Sequence, residues 1–196
     1  MAQPVQAGGF TPRCFADLTR PDNTTTYAAD EHVANSATGS AVVPIKFPAC
    51  RQANGSGVIT GGTLVKATNT IATAGFRLWL FTREPFAAAG YPADNAALVN
   101  QFTFTTALKY YVGYIDFATA DFIAHSSSAS CEGVPVRGNV PFSLRGAARD
   151  GTDYADVEGI GRVSGDHLLY GVLSTLAAYV PGALEKFRIT LDIQQD

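Results

Sequence analysis

Between residues 186 and 194 the chain alternates without a break. Phe187, Ile189, Leu191 and Ile193 fall on one parity, and Lys186, Arg188, Thr190 and Asp192 on the other. A period of two marks a strand with one face buried and one wetted. FRLWLF (76–81) has the same period, with Phe76, Leu78 and Leu80 on one face and Arg77, Trp79 and Phe81 on the other. Both of its faces are largely apolar. One is expected to pack the core, and the other to meet a loop, an opposing element or a partner. QFTFTTA (101–107) and YYVGYIDF (110–117) read as further strands. AVVPIKF (41–47) reads as an edge or interrupted strand, because Pro44 has no N–H for a ladder. VITGGTLVKAT (58–68) reads as two short pieces broken or bulged at Gly61-Gly62. HLLYGVLSTLAAYV (167–180) fits either period: its Leu and Ala favour helix, while Gly171 and the flanking strands favour a strand.

Turn signals separate these segments. Asn54-Gly55 is a strong hairpin signal, since both residues tolerate positive φ. EPFAAAGYPADNAAL (84–98) is broken by Pro85, Gly90 and Pro92, and holds at most a helical turn in a long loop. HSSSASCEG (125–133) is loop-like, VPVRGNVPFSLRG (134–146) is strand-like but pinned by Pro135 and Pro141, and RDGTDYADVEGIG (149–161) reads as an acidic turn with a short helix at best. Residues 1–18 carry Pro4, Gly8, Gly9 and Pro12 with no apolar period. They read as an arm, frayed or ordered by a neighbouring subunit. Many short strands between turn signals predict an all-β fold: an antiparallel β-sandwich, jelly-roll-like, over 19–196, with an extended N-terminal arm and long loops.

Composition narrows the function. A chain of 196 residues buries roughly 70% of its unfolded surface, so it needs neither metals nor disulfides to hold together. Charged residues make up 16%, against about a quarter in an average domain. Low charge with abundant Phe and Tyr points to a large β core or to a surface covered by a partner. The net charge is −3, and the four lysines, Lys46, Lys66, Lys109 and Lys186, are scattered. No basic cluster marks a nucleic-acid or anionic-membrane surface. MAQPVQAGGF has no positive region and no apolar stretch, so no signal peptide is expected, and no apolar run reaches membrane length. Cys14, Cys50 and Cys131 are odd in number and far apart, which suits free thiols in a reducing compartment.

Few residues stand in patterns that carry chemistry. His125 lies in AHSSSAS, but there is no G-x-S-x-G elbow, and loop composition accounts for the serines. Asp30 and His32, or Asp166 and His167, are lone pairs without further ligands. DGTDYAD (150–156) lacks the order and terminal Glu of an EF-hand, which leaves at most a weak ion site over Asp150–Asp156. GSGVITGG (55–62) has no P-loop Lys. No catalytic residue, cofactor or metal is expected, and the chain reads as a non-enzyme.

Five blocks, in order, resemble small structural proteins of tailed bacteriophages: TRPDNTTTYAADEHV (19–33), ITGGTLVKATNTIATAGFRLWLFTREP (59–85), ADNAAL (93–98), YVGYIDF (111–117) and LLYGVLSTLAAYVPGALEKFRITL (168–191). Two features depart from that pattern: Asp30-Glu31 stands where the family carries Gly-Asp, and residues 125–140 have no counterpart. The resemblance implies a head decoration or cement protein. Such a protein sits on the outer surface of the virion, is assembled in the host cytoplasm, binds the major capsid protein, and self-associates as a trimer more readily than as a dimer. The implied partner interface comprises Arg20, Thr24, Thr25 and Tyr27, with Thr24–Tyr27 forming or flanking an edge strand, together with Arg77, Trp79 and Phe81. Trp and Arg are favoured anchors. The alternatives are a receptor- or glycan-binding module of a tail fibre or tailspike, and a jelly-roll hydrolase or metalloenzyme dependent on His32 or His167.

Overall fold

The computed structural model describes residues 13–50, 54–68, 74–86, 90–98, 108–124, 131–133, 140–144, 154–157, 161–164 and 167–195. Within them lie thirteen strands: β1 (Arg13–Thr19), β2 (His32–Val33), β3 (Ile45–Pro48), β4 (Ser56–Lys66), β5 (Phe76–Phe81), β6 (Tyr111–Phe117), β7 (Phe122–Ala124), β8 (Cys131–Gly133), β9 (Val140–Ser143), β10 (Tyr154–Val157), β11 (Gly161–Ser164), β12 (Leu168–Thr175) and β13 (Lys186–Gln195). Short 3-10 turns supply the only helical geometry among the described residues.

Every strand pair is antiparallel. One sheet runs β1-β13-β4-β8-β7, with β9 also on β4; the other runs β2-β12-β5-β6, with β3 also on β12. Most neighbours are distant in sequence, as in jelly-roll-like sandwiches. The sheets meet through aromatic rings. Phe76 of β5 lies edge-on to Phe187 of β13 and Phe122 of β7, with centroids 5.3 and 6.0 Å away. The expected antiparallel sandwich is therefore what forms.

Several local expectations change. Residues 13–18 are not part of an arm. Cys14 and Leu18 are buried, and β1 pairs along its whole length with β13. The short apolar period Cys14–Leu18 was too sparse to register in the sequence; residues 1–12 lie outside the described set. Asn54-Gly55 makes a turn, with Asn54 at φ 57°, but not a hairpin, because β3 and β4 belong to different sheets. β4 is one strand rather than two pieces. Its ladder with β13 skips Thr60, which is the bulge, and the buried parity switches there from Gly57 and Ile59 to Gly62, Leu64 and Lys66. The acidic stretch expected to be a turn forms the β10–β11 hairpin, and Cys131–Gly133, expected to be loop, forms β8. Residues 101–107, 125–130 and 134–139 lie outside the described set, as do Asp150 and its neighbours to 153.

β12 resolves the helix-or-strand ambiguity. All eight of its residues are buried. Leu169 and Leu173 join the inter-sheet core, while Leu168, Tyr170 and Val172 face a second apolar cluster with Phe81, Phe86, Tyr91 and Leu98. A strand covered on both faces reads as a continuous apolar run, so its period is lost. Gly171 belongs to this arrangement: a Cβ there would lie 2.9 Å from the Phe47 ring and 3.0 Å from Leu78.

Candidate functional site

The segment that follows β1 is drawn inward at two of its large side chains. Arg20 follows β1 and is fully buried, as is Tyr27. The Arg20 Nη2 bonds the Asp94 Oδ2 at 2.8 Å, and its Nη1 donates to the Gly182 carbonyl at 3.2 Å. Arg20 Nε donates to the Tyr27 hydroxyl, which donates to Asp94 Oδ1. Burial, then the neighbouring Asp94 carboxylate, pushes the Tyr27 phenol far above its usual range, so it stays a neutral donor. Arg20 and Tyr27 therefore cannot be interface residues as the sequence implied: an arginine this deep needs a partner of its own, and Asp94 in the 84–98 loop is that partner. Thr24 and Thr25 remain exposed. They do not form a strand; only Tyr27 pairs, in a single bridge with Tyr179.

A second buried cluster braces the β12–β13 loop. The Lys66 Nζ lies 3.3 Å from Glu185 Oε1, 3.1 Å from the Tyr179 hydroxyl and 2.6 Å from Thr68 Oγ1. Tyr179 donates to Glu185 at 2.7 Å, and the Gly182 amide donates to the same carboxylate oxygen at 3.3 Å. Both ends of the loop tip are thus tied down. Between them Val180 is 61% and Leu184 53% exposed. Leu184 sits at φ 53°, a left-handed conformation that costs a leucine about 1 kcal/mol or more relative to glycine. Its amide is held by the Pro21 carbonyl at 3.3 Å, so the tip lies against the segment that carries Thr24 and Thr25.

His32 and His167 each bond a backbone carbonyl, and His125 lies outside the described set. His32 is buried, and its Nδ1 donates to the Pro92 carbonyl at 2.7 Å. His167 Nδ1 bonds the Cys50 carbonyl at 2.9 Å. No group of three or more His, Cys, Asp or Glu is placed to hold a metal ion among the described residues. Burial pushes the Cys14 thiol up to about 12, which makes it unreactive at neutral pH. Burial also lowers the His32 pKa below its ordinary 6.5, against the opposing pull of the Pro92 carbonyl and Asp94. The unfolded chain then binds this proton more readily than the folded one. His32 stability is fully present above pH 6.5 and is lost as pH falls from there through the lowered folded value. A urea midpoint measured at pH 7.5 and at 5.5 should drop with acid, and His32→Gln should flatten that difference.

The outer face of β5 and β6 is the other surface feature. Phe81, expected on this face as an interface residue, is fully buried under Phe86 and Tyr91 of the 84–98 loop; the loop is what covers that end of the strand. Arg77 and Trp79 stay partly exposed. Arg77 makes a two-pronged pair with Asp116, Nε–Oδ1 2.6 Å and Nη2–Oδ2 2.8 Å, and this bond holds its guanidinium above the usual range. The Arg77 Cζ lies 4.3 Å from the Tyr114 ring centre and 5.1 Å from that of Trp79. Trp79 Nε1 donates to Ser174 Oγ at 3.0 Å, and its ring is tilted 49° to Tyr111 and 53° to Tyr114. Tyr114 is 47% and Tyr111 36% exposed. Composition alone gave no hint that Tyr111, Tyr114 and Asp116 would join Trp79, because β5 and β6 are about thirty residues apart; the alternation of YYVGYIDF was the only available signal.

No family model matches this chain, and no curated protein matches it. Among solved structures, a chain from Sacbrood virus of honeybee is similar at 13% identity, with a TM-score of 0.33, over 99% of this chain and 72% of that one. A TM-score this low carries no weight for function.

Proposed function

We propose that this chain is a non-catalytic virion protein, a decoration or cement protein that clamps the outer surface of a tailed-phage head to stabilise joints between major capsid protein subunits. The order of the five sequence blocks supports the family, and the β12–β13 tip is the observation that carries the mode of action. The two charged clusters beneath it are buried and mutually neutralised, so the tip offers aliphatic side chains at a fixed position. Leu184 keeps a strained conformation while exposed, a combination that a folding role alone does not explain. A rigid aliphatic knob loses little entropy on docking. Several copies on a repeating shell, self-associated as trimers, multiply a modest affinity. Thr24 and Thr25, next to the tip, form the polar rim of the contact.

The test mixes the purified protein with undecorated heads and images them. Wild type should add regular density at the joints. Leu184→Asn relieves the left-handed strain, so the isolated domain should gain up to about 1 kcal/mol while head occupancy falls at least several-fold. Unchanged occupancy with Leu184→Asn would remove the tip from the contact. Wild-type protein that leaves heads bare would reject the decoration reading.

A further inference from the structure

Among the described residues the exposed apolar groups are of two kinds. Val43, Ile123, Val180 and Leu184 are aliphatic, the last two on a loop tip. On the outer face of β5 and β6 the exposed groups are aromatic, Tyr111 and Tyr114 beside Trp79, and their rim is polar. We infer that Trp79, Tyr111 and Tyr114, with Arg77 and Asp116 around them, form a binding platform for a neutral saccharide, separate from the shell contact.

Four observations point to that ligand class. The three rings are tilted toward one another at 49° and 53° rather than stacked flat, so they present a shallow, angled surface of π-faces and edges. The weakly positive C–H groups of a pyranose ring complement such faces. The rings are also held in place: Trp79 by Ser174, and Tyr114 by the Arg77 guanidinium, itself fixed by Asp116. A pre-positioned aromatic loses little freedom when a small ligand binds. The rim offers hydroxyl-recognition chemistry, since the Arg77–Asp116 pair is still partly exposed, at 25% and 35%, and retains donor and acceptor capacity toward solvent. Burial, then Tyr114, pushes the Tyr111 phenol above its usual range, so that it stays an un-ionised hydroxyl.

The charge pattern separates a neutral sugar from the other ligands that aromatic platforms take. Single-stranded nucleic acid also stacks on such rings, but it needs cations along the backbone path. Here the guanidinium that packs on the rings is already paired with Asp116, which makes it a poor counter-charge for phosphate or sialate. A quaternary ammonium would find the cation position over Tyr114 already taken by that guanidinium, 4.3 Å from the ring centre. A protein partner of standard size would bury roughly 800 Å² on each side, mostly around an apolar centre. The exposed aliphatic groups among the described residues, Val43, Ile123, Val180 and Leu184, are spread over three other segments rather than gathered into one centre with the rings.

The chain has a single tryptophan, Trp79, so the intact protein reports on its own platform. The experiment titrates it with neutral hexose and N-acetylhexosamine oligosaccharides and, in parallel, with a sialylated oligosaccharide and oligothymidylate. Tryptophan emission, the indole N–H resonance and saturation transfer to the ligand are followed. Expected are a saturable indole shift and saturation transfer with at least one neutral oligosaccharide, and a preference for neutral over anionic probes. Tyr114→Ala should weaken the binding about tenfold, the scale of one aromatic stacking contact, while Ile123→Ser, an exposed change on β7, leaves it intact. The inference is overturned if no neutral oligosaccharide moves the wild-type indole signal, if the anionic probes bind better, or if Tyr114→Ala binds as wild type. Should Tyr114→Ala fail to fold, the wild-type titration still decides. Loss of head decoration by Tyr114→Ala without any saccharide binding would make the platform part of the protein interface and overturn the proposal, with the decoration reading left standing.

Discussion

Replacing Glu185 with alanine should lower the folding stability of the domain by about 3–5 kcal/mol, because it strands a buried ammonium. Lys66 is completely buried on β4, and its Nζ faces Glu185, Tyr179 and Thr68. In the variant the positive charge keeps three neutral oxygens, the Thr68 carbonyl and hydroxyl and the Tyr179 hydroxyl, and loses its counter-ion. The Tyr179 hydroxyl and the Gly182 amide lose their acceptor in the same step. The β12–β13 loop is therefore released as well, and the Val180–Leu184 tip should lose its fixed geometry. The control is a triple variant, Lys66→Met/Tyr179→Phe/Glu185→Leu, which replaces the charged pair and the Tyr179 hydroxyl with apolar groups of similar volume. It should recover most of the loss, since an intact buried pair contributes little net stability against well-packed hydrophobic residues. Urea denaturation at pH 7 measures both. If the single and triple variants were equally unstable, the cluster would matter for packing volume rather than for charge.

Phe76→Ala is the second large expected effect, also about 3–5 kcal/mol. Phe76 is fully buried near the start of β5, where the sheets meet. It stands edge-on to Phe187 at 5.3 Å, Phe122 at 6.0 Å and Tyr179 at 5.1 Å. The ring therefore joins β13 and β7 of one sheet to β5 of the other, and also supports the Tyr179 that completes the Lys66–Glu185 cluster. Removing it leaves a cavity walled by three rigid rings, which collapse poorly. Phe76→Leu should lose much less, because most of the volume stays. Thermal or urea unfolding of both variants checks the ranking, and a Phe76→Ala loss below about 1 kcal/mol would mean that the sheets close over the cavity.

The strands that could be read from the residues are those with one wet face. Lys186–Gln195 alternates cleanly because one side carries Arg188 and Asp192, whose partners Asp17 and Arg13 lie on β1 and face solvent. Phe76–Phe81 was legible as a strand, and its two apolar faces were a correct sign that something covers the second one. What covers it, the 84–98 loop at Phe81 and only partial packing at Trp79, could not be read from the strand. β12 was ambiguous because burial on both faces erases the period. β8 and β10–β11 were missed because residues of loop composition can pair once neighbouring strands present a ladder.

The sequence by itself determined an all-β chain of one-faced and two-faced strands, low in charge, with no local catalytic or metal-ligating motif, because these depend on the order of side chains along a few consecutive residues. The tertiary structure alone decided which of the suspected contact residues face outward. Arg20 meets Asp94 across 74 positions and Lys66 meets Glu185 across 119. A charge turns inward only where the fold supplies its counter-charge, so no local pattern could show that Arg20 and Tyr27 are interior while Thr24, Thr25, Tyr114 and Leu184 stay in water. That partition, between side chains spent on bracing loops and side chains left in water, is set when the two sheets close.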